Sequence, residues 1–355
     1  MTGEVLVRRN GQAGVLSLNR PRALHALNQP MVEIMTEALL AWRDDPSITA
    51  VIIDHAVAPD GEPRLSRGFC AGGDIAMMRQ SALEDGGAAG RAFFLAEYRL
   101  NHLMFTYVKP IITFMDGITM GGGVGLSLPA RWRVATARTR LAMPETGIGL
   151  FPDVGGGWFL SRLKGRLGHF MALTGARLDG AECCWAGLAT HFLPDEALAL
   201  AKERIAGGET VATVLDDLAT HPGAAPLAAY APDIARHFVH DTLAAIWRSL
   251  GRDPSPWATQ TLATLKTRAP LSSTVSLRQL QESLALPDFA ANMAMEYRIA
   301  ARVMLTPDFA EGVRAVIIDK DNAPRWNPAR PEDVEDSMVE AIFAPLPHEE
   351  EWTPL

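Results

Sequence analysis

Two carboxylates, Glu145 and Asp153, stand eight residues apart in a stretch broken by glycine and proline, MPETGIGLFPDVGGG at residues 143–157. Carboxylates act as general bases or attack an electrophilic carbon. Upstream, three consecutive glycines, Gly121, Gly122 and Gly123, follow closely on an apolar run at residues 110–115. Without a Cβ, such residues let the backbone approach a ligand. A helix is expected over residues 122–128, ended by Pro129, and its first N–H groups suit an anion or a developing oxyanion. A second run of small residues, Phe69-Cys70-Ala71-Gly72-Gly73-Asp74, offers another N–H. Two donors on one carbonyl oxygen form an oxyanion hole, worth roughly 3 kcal/mol per donor. The plainer reading of the same residues is glycine-rich turn material carrying solvated acids.

Other chemistries fit less well. A dinucleotide fingerprint needs G-x-G-x-x-G, and Gly123-Val124-Gly125 is followed by Leu126, Ser127 and Leu128. A nucleophile elbow needs G-x-S-x-G, and Gly125-Leu126-Ser127-Leu128-Pro129 lacks the last glycine. There is no phosphate-loop lysine. The three cysteines, Cys70, Cys183 and Cys184, have neither disulfide nor zinc spacing. His237 and His240 share a helix face but lack further ligands, and read as a surface pair; no metal is expected.

These groups must be held by elements, and the elements alternate. A hairpin is expected at the start, with strands at residues 5–8 and 15–18 around Asn10-Gly11. Residues 30–42 carry Met31, Ile34, Met35, Ala38, Leu39 and Trp42 at helical spacing. Residues 50–54, AVIID, read as a strand buried on both faces. A polar loop at 58–68 precedes the first glycine run, and a helix follows it at 75–80. Residues 84–90, EDGGAAG, read as flexible and as a possible lid hinge. Residues 93–107 form an amphipathic helix with Phe94, Tyr98 and Phe105 inward; Glu97 beside that face is by default a solvated acid. Strands follow at 111–115 and 132–136.

The pattern of strand, glycine loop and helix argues an α/β chain with ligand loops at the carboxyl ends of strands. Beyond residue 157, short apolar segments and a strand-like stretch at 188–192 lead into helices from Asp195 onward. Ser255-Pro256 and Thr306-Pro307 look like helix-start pairs. Residues 206–232, rich in Gly, Ala, Pro and Thr, form the candidate junction between residues 1–205 and 206–355.

The 355 residues carry a net charge of -8, with 48% apolar and 21% charged residues. That balance is soluble and globular, and it argues against general nucleic-acid binding. No apolar run reaches membrane-spanning length and the first residues lack an apolar core, so a cytoplasmic location is expected.

The set Leu18-Asn19-Arg20-Pro21, residues 69–74, residues 117–125 and Met143-Pro144-Glu145 resembles the enoyl-CoA hydratase/isomerase, or crotonase, superfamily. Within it, residues 143–157, Glu97-Tyr98, Met295-Glu296-Tyr297-Arg298 and residues 311–321 resemble the 3-hydroxyisobutyryl-CoA hydrolase family. The resemblance spans about residues 5–328. It implies a ββα spiral core followed by a helical C-terminal region that helps close the site. It also implies a coenzyme A thioester substrate with no further cofactor, and a trimer or pair of trimers. By position, the oxyanion hole falls on the N–H groups of Gly73 and Gly122. Glu145 falls on the catalytic glutamate, Asp153 on the acid that contacts the substrate hydroxyl, and Glu97 on a further substrate-contacting acid. Arg22 stands where relatives place a basic residue near the coenzyme A phosphates.

Three departures stand out. Hydratases carry a second glutamate two residues after the triple glycine, and here that position is Gly125. His25 stands where many relatives have Asn, and the loop at 59–63 is longer; both bear on the adenine side. Hydration needs two carboxylates and thioester hydrolysis needs only attack on the carbonyl, so Gly125 favours hydrolysis. The expected reaction is hydrolysis of a 3-hydroxyacyl-CoA, 3-hydroxyisobutyryl-CoA foremost, a step of valine degradation. Glu145 either attacks the carbonyl or activates a water. An enoyl-CoA hydratase or isomerase using Glu145 alone is the alternative, and a non-catalytic acyl-CoA-binding protein the rival of another class.

Overall fold

The first hairpin forms where Asn10-Gly11 permits a turn, Gly11 having φ 53°. In the computed structural model, which describes residues 3–57 and 68–355, it joins β1 (Val5–Asn10) to β2 (Ala13–Leu18). Helix α1 (Gln29–Arg43) starts at Asn28, whose side chain accepts from the Met31 N–H. The chain then winds through turns that each place one strand in each of two sheets before a helical segment. The first turn is β3 (Ala50–His55), β4 (Gly68–Cys70), α2 (Ile75–Glu84) and α3 (Ala88–Phe105). The second is β5 (Ile111–Met115), β6 (Ile118–Met120) and α4 (Gly122–Ser127). The third is β7 (Trp132–Ala135), β8 (Arg140–Ala142), a 3₁₀ turn (Glu145–Ile148), α5 (Gly156–Ser161) and α6 (Leu167–Thr174). β9 (Leu178–Asp179), α7 (Gly180–Trp185) and β10 (His191–Phe192) complete it.

The larger sheet has the order β1-β2-β3-β5-β7-β10 and the smaller β4-β6-β8-β9, with the crossover pairs β3·β5, β5·β7, β4·β6 and β6·β8 parallel. This is the ββα spiral that the resemblance implied. The apolar run in β3 has the physical cause inferred for it. Val51 and Ile53 face the main core, while Ala50 and Ile52 face a second one. That second core is closed by α8 (Ala197–Ala206) and α9 (Val211–Leu218) through Ala201, Ile205, Val214 and Leu215.

The C-terminal region is helical as expected: α10 (Ala231–His237), α11 (Leu243–Gly251), α12 (Pro256–Leu265), α13 (Pro270–Ala285), α14 (Phe289–Val303), α15 (Pro307–Val313) and α16 (Asp336–Phe343). Ser255 and Thr306 do cap α12 and α15, accepting from Ala258 and Phe309. α15 runs into a π-helical turn, Arg314–Ile318. It lies very close to the 3₁₀ turn that carries Glu145. A Cβ added to Gly312 would lie 2.4 Å from the Ile148 carbonyl carbon, and one added to Gly149 would lie 2.3 Å from Asp308 O.

Some expectations are corrected and others gain detail. Strands β4, β6 and β8 were not foreseen, because three residues are too few to show an alternation. Residues 84–90 hold a close turn in which Asp85 accepts from the Ala88 and Ala89 N–H groups and starts α3. Phe105, read as inward, is 39% exposed at the end of α3 and stacks on Phe289. The candidate junction at 206–232 contains α9. The loop at 58–68 lies outside the described residues apart from Gly68, and so does the long segment at 59–63.

Candidate active site

The spiral brings both glycine loops and all three candidate acids to one cavity of about 420 Å³. Gly72 and Gly73 follow β4, Gly121 and Gly122 follow β6, and Glu145 follows β8. These are the carboxyl ends of three parallel neighbours, so the loops are adjacent because the strands pair. Gly121 has φ 47° and ψ -120°, a conformation open only to glycine. A Cβ there would lie 3.1 Å from Glu145 Oε1 and 3.4 Å from the Gly72 Cα. A Cβ on Gly122 would lie 2.6 Å from Glu97 Oε1. The glycines thus let backbone pass between two carboxylates. Among the described residues, neither the Gly73 nor the Gly122 N–H finds an acceptor.

Glu97 projects from α3 and is 2% exposed, so the default reading of a solvated helix acid fails. Its Oε1 has no hydrogen-bond partner, and neither does Glu145 Oε2. Asp153 is buried as well and accepts from the Tyr98 hydroxyl at 2.9 Å. Burial raises the Glu145 carboxyl well above its ordinary range, with the Asp153 charge adding to it. Burial does the same for Glu97, again with Asp153 contributing. Burial pushes Asp153 up to about 7 against the opposing Tyr98 hydrogen bond. Three acids this close and this dry do not all ionise at neutral pH.

The remaining wall is largely apolar: Ile75, Met78, Phe94, Met120, Ile148 and Leu150, with Val316 and Ile317 from the π-helical turn. Arg177 and Arg268 supply positive charge. Arg268 is held by donation to the Thr174 carbonyl, and burial lowers its pKa. Neither arginine lies in a motif, and nothing in the sequence pointed to them. A neighbouring hollow shares Ala71, Met120 and Arg177 and adds Leu24, Arg140, Asp179 and Glu182. Arg22 sits exposed in the 3₁₀ turn Pro21–Ala23 and lines neither space. His25 points inward. It is buried, with φ 58°, and its Nδ1 accepts from the Arg20 N–H.

Val154 stands against the position of the hydratases' second glutamate. A Cβ on Gly125 would lie 2.5 Å from Val154 Cβ and 3.1 Å from Asn101 Nδ2. Val154 itself has φ 53°, a costly conformation for a β-branched residue, and is fully packed.

Asp153 and Val154 lie on a loop held from behind by Glu296 of α14, a residue noticed in the sequence only as part of a motif. Its Oε2 accepts from the Gly155 N–H at 2.7 Å and its Oε1 from the Gly157 N–H at 2.9 Å. Gln279 and Asn292 also donate to Oε1, at 3.0 and 2.9 Å. Burial pushes the Glu296 carboxyl up to about 8 against these donors. The donor set still fits the anion, since no acceptor among the described residues bonds either oxygen.

His237 is not on the surface. It is buried beside Ser249 and Asp253. Asp233, His237 and Asp253 are the group with metal-ligand proximity among the described residues. The Arg236 guanidinium already donates to both aspartates, so a cation is in place there.

The comparisons agree with this architecture. The enoyl-CoA hydratase/isomerase family pattern matches residues 13–343. The chain is 42% identical to "3-hydroxyisobutyryl-CoA hydrolase, mitochondrial" of Gallus gallus, over 97% of this chain and 89% of the relative. It is 43% identical to the Xenopus tropicalis protein of the same name, with the same coverage. Among solved structures, a carnitinyl-CoA dehydratase from Mycobacterium thermoresistibile superposes with a TM-score of 0.92 at 38% identity, covering 99% of both chains. An enoyl-CoA hydratase from Rhodobacter sphaeroides 2.4.1 superposes with a TM-score of 0.89 at 38% identity, covering 99% of this chain and all of that one. The chain belongs to the enoyl-CoA hydratase/isomerase family, and its fold is the crotonase spiral. No helix of the described residues is long and apolar enough to cross a membrane.

Proposed function

We propose that the protein is an acyl-CoA thioester hydrolase that converts 3-hydroxyisobutyryl-CoA, or a close 3-hydroxyacyl-CoA, to the hydroxy acid and free coenzyme A. The observation that carries this reading is Val154 packed against Gly125, which leaves no room for a second glutamate there. Curated relatives above 40% identity are named for this hydrolysis. The names of the two solved structures at 38% identity favour a second reading, hydration or dehydration using Glu145.

In the hydrolytic reading the thioester oxygen accepts from the Gly73 and Gly122 N–H groups, each worth roughly 3 kcal/mol as the oxyanion develops. Glu145 then acts in one of two ways. As nucleophile it bonds to the carbonyl carbon, the C–S bond breaks, and the thiolate leaves. Water then cleaves the mixed anhydride and regenerates the carboxylate. As general base it takes a proton from the water that attacks the same carbon. Asp153 accepts a hydrogen bond from the substrate 3-hydroxyl, with Glu97 as a further contact. Arg22 is the basic residue on the phosphate side, with Arg177, which lines both hollows, as a second.

No cofactor enters the reaction. A cytoplasmic setting and a trimer or hexamer belong to the same proposal, and fractionation and sedimentation of the native protein test them. The chemistry is tested by assaying thiol release from 3-hydroxyisobutyryl-CoA beside hydration of crotonyl-CoA. Rapid thiol release with negligible hydration is expected. Fast hydration without free thiol would reverse the assignment, and acyl-CoA binding without turnover would make the protein a binding module.

A further inference from the structure

The loop that bears Asp153 is fixed from two sides by groups outside it. On the spiral side, Val154 lies against the Gly125 backbone. On the C-terminal side, Gln279 Nε2 donates to the Pro152 carbonyl at 2.7 Å, and Glu296 accepts the Gly155 and Gly157 N–H groups. The polar backbone groups just before and just after Asp153 are therefore tied to α13 and α14. The tie continues inward, where Asn292 donates to Glu296 and accepts from the Ser283 hydroxyl at 2.6 Å. All of these side chains are buried.

We infer that Glu296 is the positioning residue that holds the Asp153 carboxylate at its place in the cavity, and so sets the preference for a 3-hydroxylated acyl group. This rests on the hydrolase reading above. A carboxylate is required because every group around it donates. An amide would turn an NH₂ group toward at least one of those donors and leave it unpaired in a dry site.

The test compares kcat/KM for 3-hydroxyisobutyryl-CoA and isobutyryl-CoA on the full-length protein. Glu296→Gln should cost ~10²-fold on the hydroxylated ester, as expected for an acid displaced by about 1 Å, and under ~10-fold on isobutyryl-CoA. The ratio is taken on one preparation, so the fraction of folded enzyme cancels. An unchanged ratio with only a lower Tm overturns the inference. If Glu296→Gln yields no soluble enzyme, Ser283→Ala loosens the same tie at its far end. It should narrow the ratio in the same direction, by ~3-fold for a loss of about 0.6–0.7 kcal/mol, and an unchanged ratio there overturns the inference equally. A wild-type enzyme that releases no thiol, or prefers isobutyryl-CoA, sinks the hydrolase reading and takes this inference with it. A normal wild-type preference retained in the variants sinks the role of Glu296 alone.

Discussion

Val154 and Gly125 exclude one another's side chains: a Cβ on Gly125 would stand 2.5 Å from Val154 Cβ. Gly125→Ala should therefore destabilise the protein by about 1–3 kcal/mol, the usual range for an overpacked core. Shortening the neighbour as well should recover part of that loss. In a double-mutant cycle of chemical denaturation, Gly125→Ala/Val154→Gly, which removes the Cβ that the new methyl would meet, should be more stable than the two single costs predict. Strict additivity would show that the contact carries no energy.

Glu145→Gln should fold and still bind coenzyme A esters, because the buried carboxyl it replaces makes no side-chain hydrogen bond through Oε2. Its kcat should fall ~10²–10⁴-fold if Glu145 is a general base, and further if it is the nucleophile. Multiple turnover in heavy-oxygen water separates the two, since only a nucleophile takes label into its own side chain. Near-normal turnover would remove Glu145 from the mechanism.

Asp153→Asn should be more stable than the wild type at neutral pH. The carboxyl titrates at about 7 in the folded protein, against 3.8 as its ordinary value. A folded pKa raised above the unfolded one gives stability that is complete below pH ~4 and is lost as pH rises through about 7. Removing the group removes that loss, on the order of 2–4 kcal/mol at pH 7.5. The asparagine keeps an acceptor for Tyr98. Thermal melts of both proteins at pH 4.5 and 7.5 read the difference, which should be several-fold larger at the higher pH. The same variant should lose most of the preference for the hydroxylated ester. Equal melts at both pH values would mean that Asp153 is far less desolvated than its burial implies.

The pH–rate profile should rise from acid to neutral pH, because Glu145 must be ionised either to attack or to take a proton. Asp153 adds to the upward shift of Glu145. In Asp153→Asn the acid limb should move to lower pH, since a neighbouring negative charge is gone. An acid limb that stays in place would assign it to another group.

Much of the spiral was legible because β2, β3 and β5 are buried almost throughout and its glycine runs are contiguous. The short second strand of each turn was hidden, since three residues carry no period. For the site, Glu145, Asp153 and the two glycine loops stood out by residue type. Glu97 did not, because helical spacing places it beside an apolar face without saying that a second layer covers it. Arg177 and Arg268 reach the cavity only through the path of the chain. Glu296 shows the same limit, with its four donors spread over residues 155–292. Arg22 and His25 show a related limit, the first exposed and lining neither hollow, the second buried. Position in a family pattern fixes a residue's place along the chain, while the local turn decides which way its side chain points.

The near-contact of Gly312 with Ile148, and of Gly149 with Asp308, bears on how such enzymes can be recombined. Two backbones that touch without side chains between them leave no cushion to absorb a mismatch. A chimera that joined residues 1–205 of this chain to the helices of a distant relative would have to inherit glycine at both contacts from matched parents. A single crossover at the apparent boundary would separate Glu145 from the backbone that seats it. Productive exchanges should instead carry the segments around 143–157 and 279–312 together, as one heritable block.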